Sequence, residues 1–109
     1  LNHMSMRKKL ELKWHGKEYK LLVTMEVIDR VEDQVSAGVL LSRQLSGDIR
    51  FSHVAKFISI LLNEAGAETT QEGVYTDMFS DGATSIVEAN ELLSYLLASF
   101  FPPSKKKDT

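Results

Sequence analysis

The chain contains no cysteine among its 109 residues, which excludes two classes of structure. Without thiols there is neither a disulfide framework nor a zinc site held by thiolates, and a cytoplasmic setting is favoured. Glycine-rich segments are also missing, because the six glycines occur singly at the ends of segments. No phosphate-binding loop can therefore be drawn in the sequence.

Neither sign of charge predominates, since 13 lysines and arginines stand against 15 acidic residues and the net charge is −2. A protein whose main task is to bind nucleic acid normally needs a clustered basic surface, so this balance argues against that class.

Long apolar runs are missing as well. The two longest, at residues 58–62 and 92–101, are short and contain serine, so we expect no membrane-spanning helix.

The remaining composition, 43% hydrophobic and 26% charged, is typical of one soluble domain. We expect a single domain over residues 7–103. Residues 1–6 are expected to be a cloning scar with a disordered start, because His3-Met4 precedes a second plausible start at Met6. The polar, charged tail at residues 104–109 is expected to be disordered.

The strongest helical pattern lies at residues 52–66, which we expect to form the centre of the fold. Ser52 is a suitable N-cap, and Gly66 can adopt the left-handed conformation that ends a helix. At about 100° per residue one side is apolar, and this side comprises Val54, Phe57, Ile58, Leu61, Leu62 and Ala65. Ile60 lies on the polar side, so it is a candidate for a second contact, within the fold or with another chain.

Two alternating segments at the N-terminal end predict a β-hairpin. Residues Leu10, Leu12 and Trp14 share one face of the first strand, and Tyr19, Leu21 and Val23 share one face of the second. His15-Gly16 supplies the tight turn. Because an isolated hairpin is marginally stable in water, its apolar face must pack on the helices that follow.

Capping signals and apolar spacing predict further helices. Thr24 caps a helix to about Val35, a short helix follows at residues 39–45, and a capping box at residues 69–72 opens another. Ser85 and Glu88 repeat the capping-box signature at the start of the last helix. The predicted fold class is α+β, mainly α, with an N-terminal β-hairpin packed on a small bundle of about four to five helices.

The apolar stripe of the last helix is wider than a small core requires. Leu92, Tyr95 and Phe101 extend the main apolar face, which includes Leu93 and Leu96. Either these side chains are deeply buried, which is the first interpretation, or they form an exposed patch for a partner.

Residues that could carry chemistry are few. None of the three histidines is spaced with another for metal binding, and adjacent carboxylates such as Glu32 and Asp33 do not face each other on a helix. Asp77 and Asp81 could share a cation with Ser80, but solubility at a helix end explains them more simply. We therefore expect no enzyme, no catalytic residue, no cofactor and no metal site.

In the order of its elements the chain resembles the small tail assembly chaperones of long-tailed phages, in the group related to gene transfer agents and described as tail tube associated. The resemblance covers roughly Leu10 to Phe101. It is carried by the hairpin at residues 10–21, the helix at 24–33, and the apolar segments at 57–62 and 91–97.

The resemblance implies a non-enzymatic role in the cytoplasm of the host bacterium. Such a chaperone coats the aggregation-prone helices of the tape measure protein, helps the tail tube protein assemble around it, and often acts as an oligomer. The candidate partner-binding residues, which would receive a client helix or another copy of the chain, are Ile60, Leu92, Tyr95, Leu96 and Phe101.

Two alternatives stay open from the sequence. One is a structural component of the tail tube itself. The other is a small nucleic-acid-binding regulator, which would use the basic residues near the N-terminus, Arg7, Lys8, Lys9, Lys13, Lys17 and Lys20. The net charge makes this second alternative the less favoured of the two.

Overall fold

The computed structural model describes residues 7–101, with the side chains of all but residues 7, 83 and 84. Within this range the predicted fold class is confirmed, since an N-terminal antiparallel hairpin is followed by five helices. The elements in order are β1 (Arg7–Trp14), β2 (Lys17–Thr24), α1 (Met25–Glu32), α2 (Ala37–Ser46), α3 (Phe51–Glu64), α4 (Gln71–Met78) and α5 (Ala83–Phe100). The expectations for residues 1–6 and 104–109 lie outside the described residues.

The hairpin has the predicted turn and the predicted alternation. Trp14 pairs with Lys17 across the turn, and the two residues between them have positive φ, 50° at His15 and 79° at Gly16. Positive φ at both central positions characterises the type I′ turn, which matches the twist of the strands. The inward side chains Leu10, Leu12, Trp14, Leu21 and Val23 are buried, whereas Lys9, Glu11 and Lys13 are exposed.

Helix α1 is capped by Thr24 as predicted, because the Thr24 hydroxyl accepts a hydrogen bond from the N–H of Val27 at 3.3 Å. The prediction that the helix reaches Val35 is wrong, since it ends at Glu32. Met25, at the first helical position, is exposed. The buried stripe of α1 consists of Val27, Ile28 and Val31.

Helix α2 is bounded by two local signals. Ser36 accepts a hydrogen bond from the N–H of Val39 at 3.1 Å, and Gly47 ends the helix in the left-handed conformation. The helix thus starts two residues before the predicted Val39. Leu40 is buried, Leu41 is half-buried and Leu45 is exposed, so the apolar side chains of this helix are only partly in the core.

Helix α3 lies at the centre of the core, as predicted. Phe57, Ile58, Leu61 and Leu62 are fully buried, and the helix contacts the other four helices within residues 7–101 as well as β2. These neighbours surround much of α3, which explains why Ile60, on its predicted polar side, is also buried. The predicted N-cap at Ser52 is wrong, because the helix starts at Phe51 and its N-cap residue makes no side-chain hydrogen bond.

Helices α4 and α5 start differently from each other. The hydroxyl of Thr70 accepts a hydrogen bond from the N–H of Gly73 at 2.9 Å and caps α4. The predicted cap of α5 at Ser85 is wrong, since α5 starts at residue 83 and the Ser85 hydroxyl instead accepts a hydrogen bond from the N–H of Asp81 at 3.1 Å. Among the described residues, no helix is both long and apolar enough to cross a bilayer.

Candidate interaction surface

The five side chains predicted to bind a partner do not form one exposed surface. Ile60 and Leu92 are buried, and Leu96 is only 1% exposed. These three side chains belong to the core, so they offer no surface to a partner in the folded chain. The physical reason is that α5 packs against α3, α4, α2 and β1, and a helix with neighbours on several sides needs a wide apolar stripe.

The other two predicted residues are accessible, but they lie in different surroundings. Tyr95 is 44% exposed, and its hydroxyl accepts a hydrogen bond from the N–H of Glu11 at 3.3 Å. Phe101 is half-buried at one end of a groove of about 450 Å³ between α2 and α5. Tyr95 therefore has a structural role of its own, which is to satisfy a backbone donor at the outer edge of β1.

A second side chain of α5 also reaches the outer edge of β1. Glu88 accepts a hydrogen bond from the N–H of His15 at 3.3 Å, and its other carboxylate oxygen lies 3.8 Å from the imidazole Nε2. Since unpaired backbone groups at a sheet edge can recruit another chain, these two contacts protect the edge that faces α5. Sequence spacing alone did not indicate this role for Tyr95 or Glu88.

An exposed group of three rings, which we call the aromatic patch, consists of Phe51, Tyr75 and Phe79. The rings of Phe51 and Phe79 meet edge to face with centroids 5.7 Å apart, and those of Tyr75 and Phe79 are 5.0 Å apart. Each of the three side chains is 40–42% exposed. A contiguous exposed group of aromatic side chains is unusual on a small domain and is typical of interaction sites.

The framework beneath the aromatic patch is well defined. The amide of Asn63 brackets the backbone of Thr69, donating to its carbonyl and accepting from its N–H at 2.9 Å each. Gln71 at the start of α4 donates to the carbonyl of Ser52 at 2.9 Å. These hydrogen bonds tie residues 69–71, at the start of α4, to both ends of α3.

The sequence contained a signal for this patch. In α4, Val74 and Met78 are four residues apart, and the same spacing separates Tyr75 from Phe79, the residue directly after the helix. The two pairs lie on adjacent sides of an eight-residue helix, so both cannot face the same core. The structure buries Val74 and Met78 completely and leaves the aromatic pair at the surface.

The outer face of the hairpin, where the basic residues were predicted to gather, carries both signs of charge. Glu11 and Glu18 alternate with the lysines, and the Nζ of Lys13 lies 3.9 Å from a carboxylate oxygen of Glu18. Interleaved carboxylates reduce the positive potential that a nucleic-acid backbone requires. The described side chains on this face therefore alternate in charge, and the face is not uniformly basic.

The best-formed ion pair lies away from the aromatic patch and links α1 to the end of α3. Arg30 donates two hydrogen bonds to the carboxylate of Glu64, from Nε at 2.9 Å and from a terminal nitrogen at 2.8 Å. The hydrogen bond from Arg30 lowers the pKa of Glu64, an effect that partial burial opposes. This ion pair joins two helices, so we assign it a structural role.

Candidate metal ligands do not converge. Within residues 7–101 no three histidine, aspartate or glutamate side chains form a group that could hold a metal ion. Ser80, which was considered as a partner of Asp77 and Asp81 in a cation site, donates its hydroxyl proton to the backbone carbonyl of Asp77 at 2.9 Å. It thus helps to close the C-terminal end of α4.

Comparison with known proteins gives no match, whether the chain is compared with family models, with curated proteins or with solved structures.

Proposed function

We propose that this protein is a tail assembly chaperone of a phage or prophage, acting in the cytoplasm of the host bacterium. It would bind the tape measure protein reversibly and aid assembly of the tail tube protein around it. The proposal is supported by the resemblance of the sequence to that family and by one structural observation, the aromatic patch. A chaperone for apolar helices needs accessible apolar surface on a folded scaffold.

The chemistry of the aromatic patch suits a helical client. Aromatic side chains offer a large contact area with few rotatable bonds, so holding them in place costs little conformational entropy. More than half of each ring is already buried, and ring-to-ring contacts fix their relative orientation. An amphipathic client helix could therefore lay its apolar face across Tyr75 and Phe79 without first ordering them.

Polar residues accompany the aromatic patch along the chain. Arg50 precedes Phe51, Glu72 stands one turn before Tyr75, and Asp81 follows Phe79 by two residues, and all three charged residues are exposed. An apolar centre with a polar rim is the usual anatomy of a protein interface. Three partly exposed rings are also a small area beside a stable interface of about 1,600 Å², which suits reversible binding.

The proposal is tested by co-expressing a tape measure segment with the chain and measuring how much of the segment stays soluble and co-purifies. Tyr75→Ser and Phe79→Ser together should reduce both quantities, because they remove most of the exposed aromatic surface. The matched control is Leu45→Ser, which removes an exposed apolar side chain from α2 instead. Circular dichroism should show that the folded state is retained in every variant.

Equal client solubility with the double variant and the wild type would contradict this assignment of the binding surface. Failure of the wild type itself to hold the tape measure segment in solution would contradict the chaperone role. Mass spectrometry of finished particles separates a chaperone from the alternative of a tail tube component. A chaperone should be absent from the particles, whereas a structural component should be present at a fixed ratio to the tube protein.

A further inference from the structure

The two outer edges of the hairpin differ in how their backbone groups are satisfied. In an antiparallel pair, the backbone N–H and C=O groups of alternate residues point toward the neighbouring strand, and those of the residues between them point away from it. Trp14 and Lys17 form the hydrogen-bonded pair next to the turn, which fixes which residues point outward. The outward N–H of Glu11 on β1 and the N–H of His15 in the adjoining turn donate to side chains of α5. Helix α5 thus covers part of the outer edge of β1 and the turn that follows it.

On β2 the outward backbone groups belong to Glu18, Lys20 and Leu22. Among residues 7–101, no helix side chain or loop supplies a hydrogen-bond partner for the N–H groups of these three residues. Their side chains are exposed as well. An open strand edge of this kind is a template for pairing with another strand.

The charged side chains of β2 indicate which strand could pair with this edge, and in which register. We propose that β2 pairs antiparallel with β2 of a second copy of the chain, with Glu18 opposite Lys20 of the second copy. By two-fold symmetry Lys20 then lies opposite Glu18 of the second copy, so the contact contains the same ion pair twice. The result is a continuous four-stranded sheet.

The other symmetric alignments of this edge are less favourable. Placing Glu18 opposite Glu18, or Lys20 opposite Lys20, sets like charges against each other at the centre, which is destabilising in a β-sheet. Placing Lys20 opposite Leu22 forms no ion pair. Only the proposed register matches each charge with its opposite.

The proposed register also continues a pattern already present within one chain. On the outer face Lys13 lies opposite Glu18, and Glu11 lies opposite Lys20. Adding the second copy gives rows of four side chains in which lysine and glutamate alternate across the whole sheet. Opposite-charge pairs at directly facing positions stabilise antiparallel sheets.

The inner face supports the same alignment. Tyr19, Leu21 and Val23 point inward, and only Tyr19 is half-buried while the other two are buried. In the proposed register Tyr19 lies on the two-fold axis, opposite Tyr19 of the second copy. Facing aromatic side chains on neighbouring strands pack favourably, so the dimer would cover the remaining exposed part of this ring.

The test uses two variants of the full chain, Glu18→Lys and Lys20→Glu, studied alone and mixed in equal amounts. Alone, each variant faces its own like charges at two positions, so its dimer dissociation constant should rise by about tenfold or more. In the mixture, two lysines of one chain face two glutamates of the other. We expect the mixture to recover dimers, as measured by sedimentation velocity or light scattering.

Matched controls carry the same charge changes on β1, namely Lys13→Glu and Glu11→Lys. These residues share the outer face but lie on β1, which takes no part in the proposed contact, so the changes should leave dimerisation nearly unchanged. All four side chains are exposed, and circular dichroism verifies the fold. Dimers formed by the wild type and recovered by mixing would support the proposal, which is independent of the chaperone role.

Three results would overturn it. The first is a wild-type chain that stays monomeric over the whole concentration range. The second is undiminished dimerisation of both single variants. The third is a mixture that stays as dissociated as its components, since the proposed register requires the charges at positions 18 and 20 to meet across the contact.

Discussion

Truncating Leu96 to alanine separates the two interpretations of the wide stripe on α5. The side chain is 1% exposed within the hydrophobic core. Leu96→Ala removes three carbon atoms, which at about 0.8 kcal/mol each corresponds to roughly 2 kcal/mol of lost transfer free energy. The cavity left in a packed core adds to this, so we expect a total loss of about 2–5 kcal/mol in the free energy of unfolding.

The matched control is Leu45→Ala, the same chemical change on a helix at a side chain that is 78% exposed. Its effect should stay within about 0.5 kcal/mol. Urea unfolding followed by fluorescence gives both values, because Trp14 is the single tryptophan and is buried. In a domain of this size a loss of about 3 kcal/mol lowers the Tm by roughly 12–24 °C. Similar small effects for both variants would refute the placement of Leu96 in the core.

Three further changes test local features of the fold, each by urea unfolding. Glu64→Gln should lower the free energy of unfolding at neutral pH, because it removes the ion pair with Arg30 that lowers the pKa of Glu64. The difference from the wild type should shrink as the pH falls below the ordinary glutamate pKa of about 4.3, since protonation abolishes the ion pair, and a difference independent of pH would contradict this. Gly16→Ala should cost about 1 kcal/mol because of its positive φ, whereas Gly38→Ala inside α2 should stabilise, and equal effects would argue against backbone strain. Thr70→Ala should cost about 1 kcal/mol by removing the N-cap of α4, and an unchanged midpoint would contradict that cap.

The parts of the fold that sequence predicted well are those fixed by local periodicity. Alternation with period two placed Leu12 and Trp14 inward, and the His15-Gly16 pair predicted the tight turn that the structure contains. The apolar spacing of α3 likewise identified Phe57 and Leu61 as core residues. Such patterns reflect which side of one element is buried, and they need no knowledge of its neighbours.

Element boundaries were predicted less well because capping signals compete. Ser36 and Thr70 cap their helices, whereas Ser52 and Ser85 lie inside helices that begin earlier. A serine hydroxyl can satisfy more than one kind of backbone donor, and Ser85 serves the turn before α5 instead of its first turn. The start of such a helix is therefore decided by the preceding chain path, which a local motif does not encode.

The burial of Ile60, Leu92 and Leu96 was not predicted, for a related reason. Ile60 and Leu96 were assigned to a partner surface because the apolar stripe of a single helix does not reveal how many elements pack around it. Several elements pack around both α3 and α5, and they bury the apolar stripes of both helices. An exposed aromatic group lies instead at Tyr75 and Phe79, because only one of the two apolar pairs of this segment, Val74 and Met78, can face the core.

The outcome of that competition is the strongest physical argument for an interaction surface on α4. Burying Val74 and Met78 fills the core, so the outward positions of this short helix could be occupied by polar side chains at little cost to the fold. The sequence places two aromatic rings there, and Phe51 of α3 adds a third in contact with them. Exposed aromatic rings stabilise the isolated chain little and lower its solubility, so their grouping favours a contact with another molecule at this position.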